Sequence, residues 1–194
     1  LADYENLIWK FNVPKLSEPG TVRKLIRFVE EYCLDVLILD PFYLMAGLSE
    51  DAGNMFVVGR LLADLQIVGN ETGVTLVVAH HFKKLGPFDQ YSTPELGMVA
   101  WSGFEQYARQ WLLLNRREAY DADAGLHKLW LAAGGSAGHG GLFAVDAHEG
   151  RQSNPGGRCW EVSVTKASEA RQQAKRERDE QKEAEQTDKL GRDI

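Results

Sequence analysis

"LDVLILDPFYLM" (residues 34–45) and "GVTLVVAHHFKK" (residues 73–84) decide the fold. Each is an aliphatic, partly β-branched run of strand length that ends on polar groups: Asp40 in the first, His80 and His81 in the second. Continuous rather than alternating apolar runs predict strands buried on both faces, as in a parallel sheet. Between them, "NMFVVGRLLADLQIVGNETG" (54–73) carries an apolar face at helical spacing, and Asn70 and Gly73 mark its end. Ahead of them, "SEPGTVRKLIRFVEEYCL" (17–34) sets Pro19 and Gly20 before a helix with Val22, Leu25, Ile26 and Val29 on one side. "NLIWKFNVP" (6–14) has the pattern of a short strand closed by Pro14. Strand, helix, strand, helix, strand at this spacing predicts βαβ crossovers and an α/β fold, with a mostly parallel sheet flanked by helices.

Downstream the character changes. Residues 82–101 form a long loop with Gly86, Pro87, Pro94 and Gly97, and loops of that length are usually functional. "WSGFEQYARQ" predicts a short helix and "QWLLLNRR" a further strand. "LHKLWLAA", "GLFAVDAH" and "RCWEVSVT" follow, separated by the Gly-rich turns "GGSAGHGG" and "EGRQSNPGG". That pattern predicts an antiparallel hairpin extension of the sheet. From Ser168 the chain is almost wholly charged, with mixed signs and no apolar heptad, which reads as a solvated or partly helical tail. The expected organisation is a core over residues 1–167 and a tail over 168–194.

With 194 residues, 44% of them hydrophobic, the chain can bury a real core. A net charge of −6 provides no global positive field, so any nucleic-acid contact has to be local, in a loop or at an assembly interface. Cys33 and Cys159 lack metal-ligand spacing; Cys33 lies in an apolar stretch and reads as a small core residue. That cysteine usage suits a reducing cytoplasm, and no apolar run approaches the ~20 residues that span a bilayer. The chain opens on Leu1, and "LADYENLIWKF" reads like the middle of something longer, so a fragment or a processed product is expected.

An aspartate at the carboxyl end of a buried parallel strand stands where open α/β sheets bind ligands. Four apolar residues followed by Asp40 match the Walker B pattern, in which the carboxylate holds the water shell of Mg²⁺ on a nucleotide. His80 and His81 are adjacent, so on a strand they point to opposite faces and cannot easily share one metal ion. His127, His139 and His148 have no shared spacing with them. The plainer readings are a packed sheet-end histidine for His80, a solvated loop for Lys83 and Lys84, and a surface arginine for Arg109. Trp101, Trp111, Trp130 and Trp160 read most simply as core or hairpin packing, because base stacking needs an exposed ring. An unrelated hydrolase using Asp40 and a histidine is the weakest alternative, since no G-x-S-x-G occurs.

Taken together, these segments resemble the RecA-fold, RepA-like hexameric helicase ATPases of the AAA_25 type. The resemblance rests on "LDVLILDPFYLM", "GVTLVVAHHFKK", "MVAWSGFEQYARQWLLLNRR" and "LWLAAGGSAGHGGLFAVD", and covers roughly residues 7–165. It implies ATP and Mg²⁺ as cofactors, with Asp40 coordinating Mg²⁺ through water and His81 sensing the γ-phosphate beside His80. It also implies that Lys83 and Lys84 open a DNA-facing loop over residues 82–101. Arg109 would be an arginine finger reaching a neighbouring subunit of a homo-oligomeric ring, a group that accelerates phosphoryl transfer by ~10³–10⁵. The departure from the family is that no G-x-x-x-x-G-K-[ST] occurs in the 194 residues. "GGSAGHGG" lacks the following Lys-Ser/Thr and is a poor phosphate cradle. The expectation is therefore an ATPase parent acting on DNA in replication or mobile-element maintenance, with slight nucleotide affinity in this chain alone. The alternative is a non-catalytic assembly or DNA-binding protein that retains the fold.

Overall fold

The computed structural model describes residues 6–47, 54–87, 89–101, 103–120, 123–151, 153–155 and 157–192, without the side chains of 181 and 185–192. Of the predicted segments, the opening residues 1–5, position 88 of the long loop, position 102 of the short helix, positions 152 and 156 of the second Gly-rich turn and the last two residues of the tail lie outside that set. The chain divides into two compact units, Leu1–Lys84 with Gly97–Tyr107, and Leu85–Leu96 with Ala108–Ile194.

The first unit carries helix α1 (Thr21–Glu31), strand β1 (Val36–Leu39), helices α2 (Phe42–Ala46) and α3 (Met55–Thr72), strand β2 (Thr75–Val78) and short helix α4 (Phe104–Tyr107). α3 starts because the Asn54 side chain accepts hydrogen bonds from the amides of Phe56 (3.0 Å) and Val57 (3.4 Å). It stops at Gly73, whose φ of 73° closes the last turn in the left-handed region. The face of α3 formed by Val58, Leu61, Leu62, Leu65 and Val68 is buried, and it packs with α1 and the inner side of the sheet. β1 and β2 pair in parallel, Leu39 opposite Val78, as the βαβ reading requires.

Only one face of that pair is covered. Leu37 and Leu39 are buried, whereas Val36 and Val77 are exposed and Ile38 is 62% exposed. The expectation of burial on both faces therefore fails: α1 and α3 both serve the inner side, and no described element of this unit lies over the outer one. The predicted strand over residues 6–14 is also absent; Trp9 and Phe11 are exposed in irregular chain. Cys33 is exposed two residues past the end of α1 with φ 48°, not part of the core.

The second unit is an antiparallel sheet in the order β3 (Gln110–Arg116), β4 (Leu126–Gly135), β5 (Gly141–His148), β6 (Glu161–Lys166), followed by α5 (Ala167–Arg192). This sheet is separate from the parallel pair rather than an extension of it, so among the described residues a mostly parallel sheet is not what forms. Pairing places Leu112, Leu114, Leu131, Phe143, Val162 and Val164 on one face. Leu113, Trp130 and Ala144 lie on the other, where Arg171 of α5 stacks over Trp130 and Tyr91 accepts from its indole N–H at 3.2 Å. The predicted tail is a helix whose start, at buried Ala167, packs on β5 and β6. No described helix is long and apolar enough to cross a membrane.

Candidate functional site

The carboxyl ends of β1 and β2 bring Asp40, His80 and His81 to one end of the parallel pair. The Ala79 amide donates to the Leu39 carbonyl and the Phe42 amide to the Ala79 carbonyl, both at 2.9 Å, so the two strand ends stay locked beyond the last paired residues. The Asp40–Pro41 peptide is cis. Strand alternation then sorts the side chains. Asp40 and His81 are both exposed, in step with the uncovered outer face, and His80 turns inward. Among the described residues the Asp40 carboxylate has no hydrogen bond or ion pair. The His81 ring lies 5.4 Å from that of Tyr43, the first residue after Phe42 in α2.

His80 is walled by aromatics. It stacks on Phe104 at 4.6 Å and 16°, lies 4.9 Å from Trp101, and meets the edge of Phe42 at 5.9 Å. Its Nε2 is 3.1 Å from the Ala100 carbonyl, which fixes that nitrogen as the donor, while Nδ1 is buried without a partner. Burial holds its pKa below the ordinary histidine value, with the neighbouring His81 adding to the depression against the opposing Ala100 bond. A neutral His80 is thus a wedge that seats the β2 end against Phe42 and Phe104, while His81 is left free to meet solvent.

The chain beyond β2 is tied down at its base. Phe82 bridges Val99 in antiparallel fashion, the Lys83 amide donates to Met98 and the Ala100 amide to His81. Lys83 Nζ donates to the Gly97 carbonyl at 2.8 Å, and Lys84 is exposed. Residues 82–101 therefore form a stem whose two sides belong to the first unit, with 85–96 belonging to the second. Arg109 also belongs to the second unit, just before β3, exposed, with its carbonyl accepting from Ser136. A cleft of about 240 Å³ between α3 and α4 is lined by Met55, Gly59, Leu62, Gly103, Gln106 and Tyr107, and neither Asp40 nor His81 lines it. Tyr107 there has its phenol pKa raised by burial.

The sequence anticipates Asp40, His80 and His81 at one strand end. It misses the aromatic wall of Trp101 and Phe104, which lie more than twenty residues from His80 and share no periodicity with it. One open carboxylate suits a hydrated Mg²⁺ shared with phosphate oxygens, since Mg²⁺ keeps several waters and takes one or two carboxylates. The described residues contain no cluster of three or more acidic, histidine or cysteine side chains that would hold a metal by themselves.

Comparison with curated proteins gives no match. Residues 7–87, however, match the family model AAA_25, described as an AAA domain. That stretch contains both parallel strands and the Asp40, His80, His81, Lys83 and Lys84 positions, and it ends before Arg109. For this part of the chain the match supports an AAA-type, P-loop-like family, and with it an ATPase-type, nucleotide-dependent function.

Proposed function

We propose that the first unit is the Walker B and sensor half of a RecA-like ATPase that couples ATP binding and hydrolysis to work on DNA as a cytoplasmic, homo-oligomeric ring. The observation that carries this reading is the shared outward placement of Asp40 and His81 at the ends of adjacent parallel strands. Asp40 would hold Mg²⁺ through water, and the ion would neutralise charge on the nucleotide phosphates. His81, exposed and one residue from a rigidly packed His80, reports phosphate through a hydrogen bond. The stem bonds from Phe82, Lys83 and His81 to residues 97–100 make the loop ends follow any movement of that strand end. Lys84 and, once released from Gly97, Lys83 present charge to DNA, and Arg109 acts in trans on a neighbouring subunit's nucleotide.

The 194 residues contain no phosphate-cradling G-x-x-x-x-G-K-[ST], so this chain by itself binds nucleotide weakly and does not turn it over. The test is a titration of the chain with ATP and Mg²⁺ followed on the His81 ring resonances. A shift at His81 whose magnesium-dependent part disappears in Asp40→Ala is expected. Absence of any shift at His81 defeats the sensor assignment, and tight binding by the unaided chain defeats the account of the cradle.

A further inference from the structure

The second unit holds a pile of flat groups that the ATPase reading does not use. Tyr120 stacks on His127 at 4.4 Å and 10°, and His127 on Trp160 at 5.9 Å and 16°. The Arg116 guanidinium caps the far end, 5.4 Å from the Tyr120 ring centre. The pile is anchored from beneath by Glu149, a buried carboxylate on β5's continuation. Tyr120 donates a short hydrogen bond to its Oε1, Arg158 reaches Oε2 at 3.3 Å, and His127 Nε2 stands 3.5 Å from Oε1, within ion-pair reach but too far for a good hydrogen bond. The Tyr120 hydroxyl above all, then Arg158 and His127, hold Glu149 below the ordinary carboxylate range, so it keeps its grip on the Tyr120 and His127 rings.

This arrangement orders one end of the stack and leaves the other open. Trp160 is 58% exposed, although an indole of that size is normally drawn into a core. Extending the pairing of His127 with Ala147 and of His148 with Glu161 puts Trp160 on the same sheet face as exposed Val162 and Val164, with exposed Lys166 at the far end of β6. Two carboxylates stand by the pile, Glu149, matched by Arg158 and the tyrosine hydroxyl, and Glu118, which lines the groove and pairs with Lys128 at 2.9 Å. The surface is thus aromatic and apolar with unmatched cations, Arg116 and Lys166, at its margins.

We propose that this face binds single-stranded nucleic acid, with a base extending the pile by one layer on the open side of Trp160. Every base has a flat π-face, so such a platform is tolerant of sequence, and guanidinium and ammonium groups at its edge can meet the phosphates. A strand fits better than a free nucleotide because the groove beside the pile, lined by Arg116, Tyr120, His127 and Lys128 among others, has no room to enclose one. Few phosphates are neutralised here, so binding has a shallow dependence on salt. Dependence on an aromatic side chain at position 160 separates it from a contact through Lys83 and Lys84, and the inference does not depend on the ATPase reading.

The experiment measures anisotropy of a labelled oligo-dT and of a duplex of equal length with the full chain, its Trp160→Ala, Trp160→Gln and Trp160→Phe variants, and a Lys83→Ala/Lys84→Ala double variant. Expected are a preference for the single strand and weakening by about fivefold to a hundredfold in Trp160→Ala and Trp160→Gln, with Trp160→Phe retaining most of the affinity. Unchanged binding in both non-aromatic variants, or no preference over duplex, overturns the proposal. Loss in the lysine variant alone assigns binding to the loop and overturns it as well, while leaving the ATPase reading standing. Competition by free AMP as effective, base for base, as the oligonucleotide would also overturn it, since the site would then be a nucleotide pocket.

Discussion

The two units solve the same problem with different means. The first buries large side chains, with Phe42, Met45, Leu62 and Leu65 essentially inaccessible, and each such side chain contributes roughly 1.5–3 kcal/mol. The second buries mostly small ones, Ala144, Ala147 and Ala167 beside Leu113 and Val145, and leaves Leu112 73% exposed. Its order comes from the ladder of three antiparallel pairings and from polar groups that clamp them. Arg117 pairs with Asp146, Lys128 with Glu118, and Glu149 gathers three partners. A packed core tolerates an uncovered sheet face because its stability resides elsewhere, whereas a thin core depends on register.

The sharpest way to break this contrast is to remove the keystone of the first unit. Phe42→Ala is expected to cost about 3–5 kcal/mol, read by denaturant unfolding together with hydrogen exchange in α3. A loss under about 1 kcal/mol would mean that the core is not where its stability lies. The matching test in the second unit adds one methyl group. A Cβ at Gly134 would meet the Trp111 ring at 2.5 Å, so Gly134→Ala should destabilise by about 1–3 kcal/mol and disturb the β3–β4 pairing, visible in amide shifts. Asn54→Ala removes the cap of α3 and should cost about 1 kcal/mol in thermal unfolding.

The smallest expected effects are in pH, and they fall in different windows. His80 has its pKa lowered on folding, so the unfolded chain binds the extra proton first. Its stabilising influence is complete above the ordinary value of 6.5 and declines as pH falls from there towards the depressed folded value. Glu149 is lowered from 4.5, so its contribution is complete above that value and is lost only as pH falls through its folded pKa. Ring titrations by NMR should show His80 with a midpoint below 6.5, and replacing Glu149 with Gln should flatten the acid limb of unfolding of the antiparallel sheet. Loss of that sheet's stability already near pH 6 would contradict the assignment.

Helices α1 and α3 and both parallel strands are legible in the sequence because apolar periodicity and a stop such as Gly73 are local signals, whereas the short α2 after the cis Asp40–Pro41 bond is not. The three hairpin strands are legible for the same reason, through their Gly-rich turns. What one-dimensional pattern does not carry is sheet membership. An apolar run such as "VLIL" is the same whether one or both faces are covered, and nothing within "QWLLLNRR" says that β3 pairs with β4 instead of joining β1. Trp160 shows the same limit at the site level. Its identity suggests packing, and only the fold shows the indole exposed and stacked beside His127, which a strand pattern does not announce.

The chain leaves the first unit at Lys84 and re-enters it at Gly97, and this has a consequence for anyone dividing the protein. The boundary suggested by the family match, residue 87, is not a boundary of folding. A truncation there would discard Trp101 and Phe104, the Ala100 carbonyl and the Val99 partner of Phe82. His80 would keep only Phe42 of its aromatic walls, and β2 would lose its clasp. On the ribosome the same interleaving means that the first unit cannot finish until the segment 85–96 has already emerged. The two units are entwined in synthesis even though each has its own interior.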